Sequence, residues 1–504
     1  MICPHRPACP GCPLADLDYP AQLAHKRARI AAAFAAYPHL PAAPEVLPSA
    51  WPEGYRHRLK LPVAIGDEGH AAIGLYDERG TRIVDTPECP VLEPHLREAL
   101  GKVRAWVRGK KGVHSVDLRR SAATGQLQMV LACVDGQVPG GRKAFAPLVA
   151  GLPELTSIAI SKADRDRKRV MGSAPEVVWG KPILDEEIGQ TRYHLHPGAF
   201  FQVDPRQAEK LHALVYAAVG DAATILDLYS GVGAYALMLA PGRKRVVAVE
   251  EVPQAARAAA EMAPRNVEVV TSKVEDLRVK EPFDVVVLNP ARRGSDPRVL
   301  AQVAALGKRL VYVSCGPETL ARDLDCLAAF GMRVRNVQPI DLFPQTPEVE
   351  TVVTLERGPA LREWRIPGGQ ARSPWGEEPS GAVGKAERAL VLFLGATPAH
   401  GEVAGARFKR IATVAGHSLV RLELSGQLVP ALLAFARKGH GVAGREPKTA
   451  RFFAEKAGLV RPFIHVEVAG QARAPLHGDL VAALEALGAP AAVVARSGGG
   501  RSDG

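Results

Sequence analysis

Thr224-Ile225-Leu226-Asp227-Leu228-Tyr229-Ser230-Gly231-Val232-Gly233 is the stretch whose reading decides the fold. Its apolar run around one acid reads as a buried strand, and its glycines read as a turn opening a helix over Ala234–Leu239. Glycines there let the backbone approach a ligand closely. The next strand, Val246–Val249, ends in Glu250, and a carboxylate at that tip suits the hydroxyls of a ribose. The dinucleotide pattern lacks its third glycine, which argues against a nicotinamide cofactor. A third strand is expected at Val267–Val270 and a fourth at Phe283–Leu288, the latter stopping at Asn289-Pro290-Ala291-Arg292-Arg293-Gly294. A fifth, Leu310–Val313, stops at Ser314-Cys315-Gly316-Pro317. Gly231, Glu250, Asn289 and Cys315 therefore fall at the carboxyl ends of strands of one sheet, where open α/β sheets bind ligands. Taken alone, Cys315 reads as a buried inert thiol, as free cysteines usually are; the convergence makes it a candidate nucleophile.

Strand, G-x-G turn, helix, strand and acid is the layout of a methyltransferase core that binds S-adenosylmethionine (SAM). Upstream, Gly198-Ala199-Phe200-Phe201-Gln202-Val203-Asp204-Pro205 leads into a helix over Gln207–Val219, and downstream Asp341–Leu355 reads as a loop feeding a last strand, with Glu350 near its start. The 504 residues allow two to four domains. The expected division is a cysteine segment and helix over 1–50, an α+β central domain over 51–190, and the methyltransferase domain over 191–358. A linker over 359–388, a C-terminal α+β domain over 389–496 and a tail over 497–504 whose composition predicts disorder complete the chain. No leader pattern and no apolar run of transmembrane length are found, so a soluble, cytoplasmic and monomeric protein is expected.

The formal net charge is +11, and it is unevenly spread. Residues 191–358 hold 20 Lys+Arg against 20 Asp+Glu, whereas residues 361–504 hold 19 against 12. Basic flanks around a neutral core suit a polyanion such as RNA. Tyr55–Val63 alternates basic and apolar residues, which predicts a strand with Arg56, Arg58 and Lys60 on one face for phosphate contacts. A helix is predicted over Tyr19–Ala36 with Gln22, Lys26 and Arg29 outward.

Cys3, Cys9 and Cys12 are spaced C-x5-C-x2-C on a loop rich in Pro, and Cys89 has a similar Pro-flanked setting. Four such thiolates fit a 4Fe-4S cluster or a zinc site.

These motifs resemble the SAM-dependent RNA (uracil-5-)-methyltransferases, from Cys3 to about Arg357. The resemblance implies that Cys3, Cys9, Cys12 and Cys89 hold a 4Fe-4S cluster. It implies that Gln202, Tyr229, Glu250 and Asn289 bind SAM, with Gly231 in the SAM loop, that Cys315 is the nucleophile, and that Glu350 is the general base. Thiolate addition at C6 of uracil makes C5 able to take a methyl group. The site should therefore lower the thiol's pKa, with Arg292 or Arg293 the candidates to do so, and Phe200 or Phe343 could stack on the base. Asn289, where the family often has Asp, and a chain starting at the cysteines without an N-terminal barrel point to the shorter branch that acts on 23S rRNA. Gly316 replaces a common Asn after the nucleophile. Lys409 to Leu422, Leu432 to Gly444 and Arg461–His465 resemble the distal part of RluA-type pseudouridine synthases without a catalytic-aspartate motif, implying a non-catalytic RNA-binding module. Competing readings are a tRNA uracil-5-methyltransferase, a non-catalytic RNA-binding protein on this scaffold, and a DNA or small-molecule methyltransferase.

Overall fold

The computed structural model describes residues 1–163 and 172–358, except 36, 38, 278 and 280, and then 364–365, 371–372, 386–394, 396–403, 406–414, 416–424, 464–468, 484 and 487. After the cysteine-bearing loop comes helix α1, Tyr19–Ala35. Its pattern predicts Gln22 and Lys26 outward, but both are buried, at 1% and 0% exposure. The helix lies against other parts of the chain that supply polar partners, and its own periodicity carries no sign of them.

The central sheet has the order β3-β2-β1-β4-β5-β6-β7. Its strands are β1 (Arg58–Ile65), β2 (Ala71–Tyr76), β3 (Ile83–Asp85), β4 (Val113–Arg120), β5 (Leu127–Cys133), β6 (Leu155–Lys162) and β7 (Glu176–Gly180). All neighbours are antiparallel except β5 and β6, whose connection carries the short helix α3 (Ala146–Gly151). Helix α2 (Pro94–Val107) places Leu96, Leu100, Val103 and Val107 on this sheet with Leu118, Met129 and Ile158. Each such side chain contributes about 1.5–3 kcal/mol by leaving water. A hairpin of β8 (Leu184–Ile188) and β9 (Thr191–Leu195) follows.

The second sheet has the order β12-β11-β10-β13-β14-β16-β15. Its strands are β10 (Thr224–Leu228), β11 (Arg245–Glu250), β12 (Val267–Thr271), β13 (Phe283–Leu288), β14 (Gly307–Ser314), β15 (Met332–Ile340) and β16 (Glu350–Arg357). β10 to β14 run parallel, and β16 is antiparallel to both β14 and β15. The central strands read as continuous apolar runs because helices cover both faces. Helices α4 (Pro205–Val219) and α5 (Ala234–Leu239) pack on Ile225, Val246, Val285 and Val311. On the other face, α7 (Pro297–Leu306) and α8 (Pro317–Ala329) pack on Leu226, Val286, Leu310 and Tyr312. Ile30 and Phe34 of α1 join that second core. The boundary expected at residue 50 therefore groups α1 with the cysteine loop, whereas α1 packs as a helix of the methyltransferase layer. α6 (Pro253–Met262) links β11 to β12.

Beyond residue 358, β17 (Trp364–Arg365) pairs with β18 (Ala371–Arg372). A five-stranded antiparallel sheet of order β20-β21-β22-β19-β23 follows. It comprises β19 (Ala386–Phe393), β20 (His400–Val403), β21 (Ala406–Val414), β22 (His417–Leu424) and β23 (Ile464–Val468). β19 begins within the span expected as linker. The stretch Leu432 to Gly444, Arg461 to Phe463, and the tail lie outside the described residues.

Candidate active site

The chain leaves β10 toward β11 and β12 on one side and returns to β13 on the other. This switch point opens a crevice at the strands' carboxyl ends, and the Gly-rich turn sits there. Tyr229 (φ 61°), Gly231 (φ 58°) and Gly233 (φ 81°) are left-handed, which for Tyr229 costs about 1–2 kcal/mol. The two glycines serve different needs. A Cβ on Gly231 would meet nothing within 4 Å, whereas one on Gly233 would come within 3.0 Å of Leu237 and 3.2 Å of Ala259. Gly231 thus borders open space, and Gly233 permits close packing.

Glu250 at the tip of β11 accepts hydrogen bonds from the backbone N–H of Gly231 and of Val252, both at 2.8 Å. Asn289, half-buried at the tip of β13, donates its backbone N–H to Leu228. Gln202 arrives from the loop between β9 and α4, where neighbouring Phe201 packs on Val232 and Leu237. Tyr229, Gly231, Glu250 and Asn289 thus lie at the carboxyl ends of β10, β11 and β13, and Gln202 follows Phe201, which packs beside that turn. Asp227 is fully buried; its Oδ2 accepts from the Ala236 N–H, and its Oδ1 has no partner among the described residues. Burial, with the charge of Glu250 adding, pushes its carboxyl up to about 7. Open space beside Gly231 and a carboxylate at the tip of β11 suit a nucleoside ligand such as SAM.

β14 and β16 pair through Val313↔Val352 and Ser314↔Thr351. Cys315 directly follows the last paired residue of β14 and Glu350 directly precedes its partner on β16, and the Glu350 charge acts on the thiol. Cys315 is half-buried and Glu350 is 4% exposed. Burial first, and then the Glu350 charge, pushes the Cys315 thiol up to about 11, against the opposing pull of Arg292. Burial pushes the Glu350 carboxyl up to about 7, with Arg292 pulling down and Glu348 pushing up. The expected lowered thiol pKa is therefore not met: Arg292 acts in the expected direction, but burial and Glu350 outweigh it. Arg292 pairs with Glu348 at 3.1 Å and is itself 71% exposed at its side chain. Phe200 is 71% exposed and available for stacking, while Phe343 packs in the core with Val313 and Val352.

Of the strand residues predicted to face phosphates, Arg58 is committed elsewhere. It donates to Asp117 at 2.9 Å and to the Ala199 carbonyl at 2.7 Å, with its side chain 12% exposed. Arg56 lies over the Tyr55 ring, and Lys60 is exposed.

The four cysteines of the N-terminal set are neighbours. Burial, and then the charges of Cys89, Cys3 and Cys9, push Cys12 up to about 12. Burial likewise raises Cys89, with Cys9 and Cys3 adding. His5 accepts from the Glu88 N–H at 3.1 Å and is thereby taken up by backbone. Among the described residues, no three His, Cys, Asp or Glu side chains are grouped to hold a single metal ion.

Sequence reasoning missed the residues that hold the loop leading to Glu350. Asp341 to Glu348 are gripped from α1 by Gln22, Lys26 and Arg29, and the loop's own polar pattern carried no sign of these partners.

A parallel sheet with a Gly-rich crevice at its switch point and a thiol beside a buried acid defines a Rossmann-like methyltransferase. The family profile described as tRNA (uracil-5-)-methyltransferase matches residues 181–358. An uncharacterized RNA methyltransferase of Clostridium acetobutylicum is 30% identical over 71% of this chain and 83% of its own length. One of Leptospira interrogans is 30% identical over 69% of this chain and 97% of its own. The solved tRNA (uracil-54, C5)-methyltransferase of Pyrococcus abyssi, in complex with S-adenosyl-L-homocysteine, superposes with a TM-score of 0.57 at 28% identity, over 69% of this chain and 86% of that one. The chain belongs to the uracil-5 RNA methyltransferase family. No helix among the described residues is long and apolar enough to cross a membrane.

Proposed function

We propose that this enzyme transfers the methyl group of SAM to C5 of a uridine in RNA through a covalent Cys315–C6 adduct. The observation that supports the reading is that the buried Glu350 carboxylate, at the start of β16, acts on the Cys315 thiol just beyond the end of β14. Gln202, Tyr229, Gly231, Glu250 and Asn289 would hold SAM, whose sulfonium supplies an electrophilic methyl group. The Cys315 thiol first loses its proton to solvent. The thiolate then forms the C6–S bond, and the electron pair released makes C5 the nucleophile that takes the methyl, the S–CH3 bond breaking with its electrons left on sulfur as the neutral thioether S-adenosylhomocysteine. Ionised Glu350 removes the proton from C5, the C5–C6 double bond re-forms, and the C6–S bond breaks to regenerate the thiolate. A carboxyl near 7 is balanced between accepting and releasing that proton at neutral pH. The target uracil must leave its stack, at a cost of a few kcal/mol that is lowest in a loop. Exposed Phe200 would be a candidate to stack on it.

Asn289 and the likeness to the shorter branch favour 23S rRNA as substrate. The Pyrococcus abyssi neighbour, a tRNA enzyme, favours a tRNA uridine. Cys3, Cys9, Cys12 and Cys89 would hold a 4Fe-4S cluster, and the C-terminal sheet would add a basic RNA-binding module to a cytoplasmic monomer. An intact Cys315 and Glu350 argue against a non-catalytic RNA-binding protein. The test is incubation with SAM and RNA containing 5-fluorouridine, whose fluorine blocks the final elimination. A covalent adduct that Cys315→Ala abolishes is expected, and mapping the trapped nucleotide separates rRNA from tRNA. Absence of an adduct with the wild type, or an unchanged one with Cys315→Ala, refutes the mechanism.

A further inference from the structure

The pairing of β14 with β16 ends at Ser314 and Thr351, so the ladder stops short of Cys315, whereas Glu350 is the first paired residue of β16, opposite Ile340 of β15. Cys315 leads into α8 through Gly316, and Glu350 is reached through the loop Asp341–Glu348. Both approaches are held by one helix. Arg29 of α1 makes a two-pronged contact with Glu318, in the first turn of α8, at 2.9 and 3.0 Å. The same guanidinium donates to the Pro347 carbonyl at 3.0 Å and lies 3.6 Å from Glu348. Glu348 in turn holds Arg292, the cation acting on both the thiol and the buried carboxyl. One turn earlier, Lys26 pairs with Asp341 at 2.5 Å with both side chains fully buried, and it donates to the Phe343 carbonyl at 3.0 Å. Tyr19 donates to the other Asp341 oxygen at 3.0 Å. Gln22 and Gln345 exchange hydrogen bonds at 2.9 Å, fixing Gln345 at φ 71°.

We propose that α1, upstream of the matched residues 181–358, is a positioning element for the reaction, and that Arg29 ties the nucleophile's helix to the base's loop. The proposal rests on the assignment of Cys315 and Glu350 above. A buried ion pair such as Lys26–Asp341 is weak evidence for stability, because desolvation opposes its attraction. Geometry is the better account of why so many polar groups converge on one eight-residue loop. Arg29 is the informative residue to change, since its side chain is 27% exposed and it lies at the rim of the core. Lysine keeps its charge but loses the planar fork that spans two carboxylates.

The test compares full-length wild type with Arg29→Met and Arg29→Lys. Four measurements are made: thermal midpoint, SAM affinity, kcat against pH on uridine-containing RNA, and the pH dependence of Cys315 alkylation by iodoacetamide, read by mass spectrometry of its peptide. The groups facing the thiol are Glu350, Glu348 and Arg292. With Arg29 gone, Glu348 keeps only Arg292 as ion-pair partner among the described residues, so the negative field at the thiol grows and alkylation shifts to higher pH. Arg29→Met should lower kcat by about 100-fold, the effect of a displacement near 1 Å, with SAM affinity unchanged within about twofold, while Arg29→Lys recovers part of the loss. Wild-type kcat and an unshifted alkylation profile in Arg29→Met overturn the proposal. A wild type that forms no adduct with 5-fluorouridine RNA overturns the catalytic assignment instead, and the alkylation profile still decides whether α1 sets the surroundings of Cys315.

Discussion

Replacing Glu350 with glutamine should make the protein more stable at alkaline pH while removing its activity. Burial raises the Glu350 carboxyl from the ordinary 4.5 to about 7. The folded chain therefore holds this proton more tightly than the unfolded chain does. That contribution favours folding below about 4.5 and is lost as pH rises toward 7. Above 7 the folded state carries an ionised carboxylate in a buried site. At about 1.36 kcal/mol per pH unit, the difference amounts to on the order of 3 kcal/mol, an upper figure because Cys315 titrates with it. Glutamine does not ionise, so Glu350→Gln escapes the penalty. Its fixed packing and hydrogen-bonding cost is the same at every pH and cancels when two pH values are compared. The measurement is chemical denaturation of wild type and Glu350→Gln at pH 5 and pH 8. The stability difference should move in the variant's favour by about 2–3 kcal/mol between the two. A difference that stays constant, or moves the other way, would show that Glu350 is not held against its ionisation and would remove the physical basis for its role as a base.

The two turn glycines should respond differently to alanine. Gly231→Ala carries only the left-handed backbone cost of about 1 kcal/mol and should fold but bind SAM weakly by calorimetry, whereas Gly233→Ala also drives its Cβ toward Leu237 and Ala259 and should lose clearly more stability. Protein purified without oxygen should be coloured by an iron-sulfur absorption that Cys12→Ser or Cys89→Ser removes; a colourless protein loaded with zinc would refute the cluster. In the C-terminal sheet, Lys409 stands opposite Arg421 on β21 and β22, within the basic region 361–504 that carries 19 Lys+Arg against 12 Asp+Glu. Lys409→Glu should therefore weaken RNA binding across sequences and reduce the salt dependence of the affinity by at least about one charge, read by titration at several salt concentrations.

What the sequence determined by itself was local. Strand runs and glycine turns are written in neighbouring residues, so β10, α5, β11, β13 and β14 and the tips bearing Gly231, Glu250, Asn289 and Cys315 were legible before any coordinates. The strand Met332–Ile340 was not, because Arg333, Arg335 and Asn336 interrupt its apolar pattern and only pairing with β16 makes it a strand. The tertiary structure alone decided the rest. Lys26 and Asp341 are 315 residues apart and each reads as a surface charge until the fold buries them together. Arg58 reads as a phosphate ligand until Asp117 claims it. The thiol of Cys315 was expected to be acidified, and instead burial and Glu350 hold it up. Periodicity reports which face a residue prefers, but the electrostatic state of a buried group depends on the charges that distant segments bring to it.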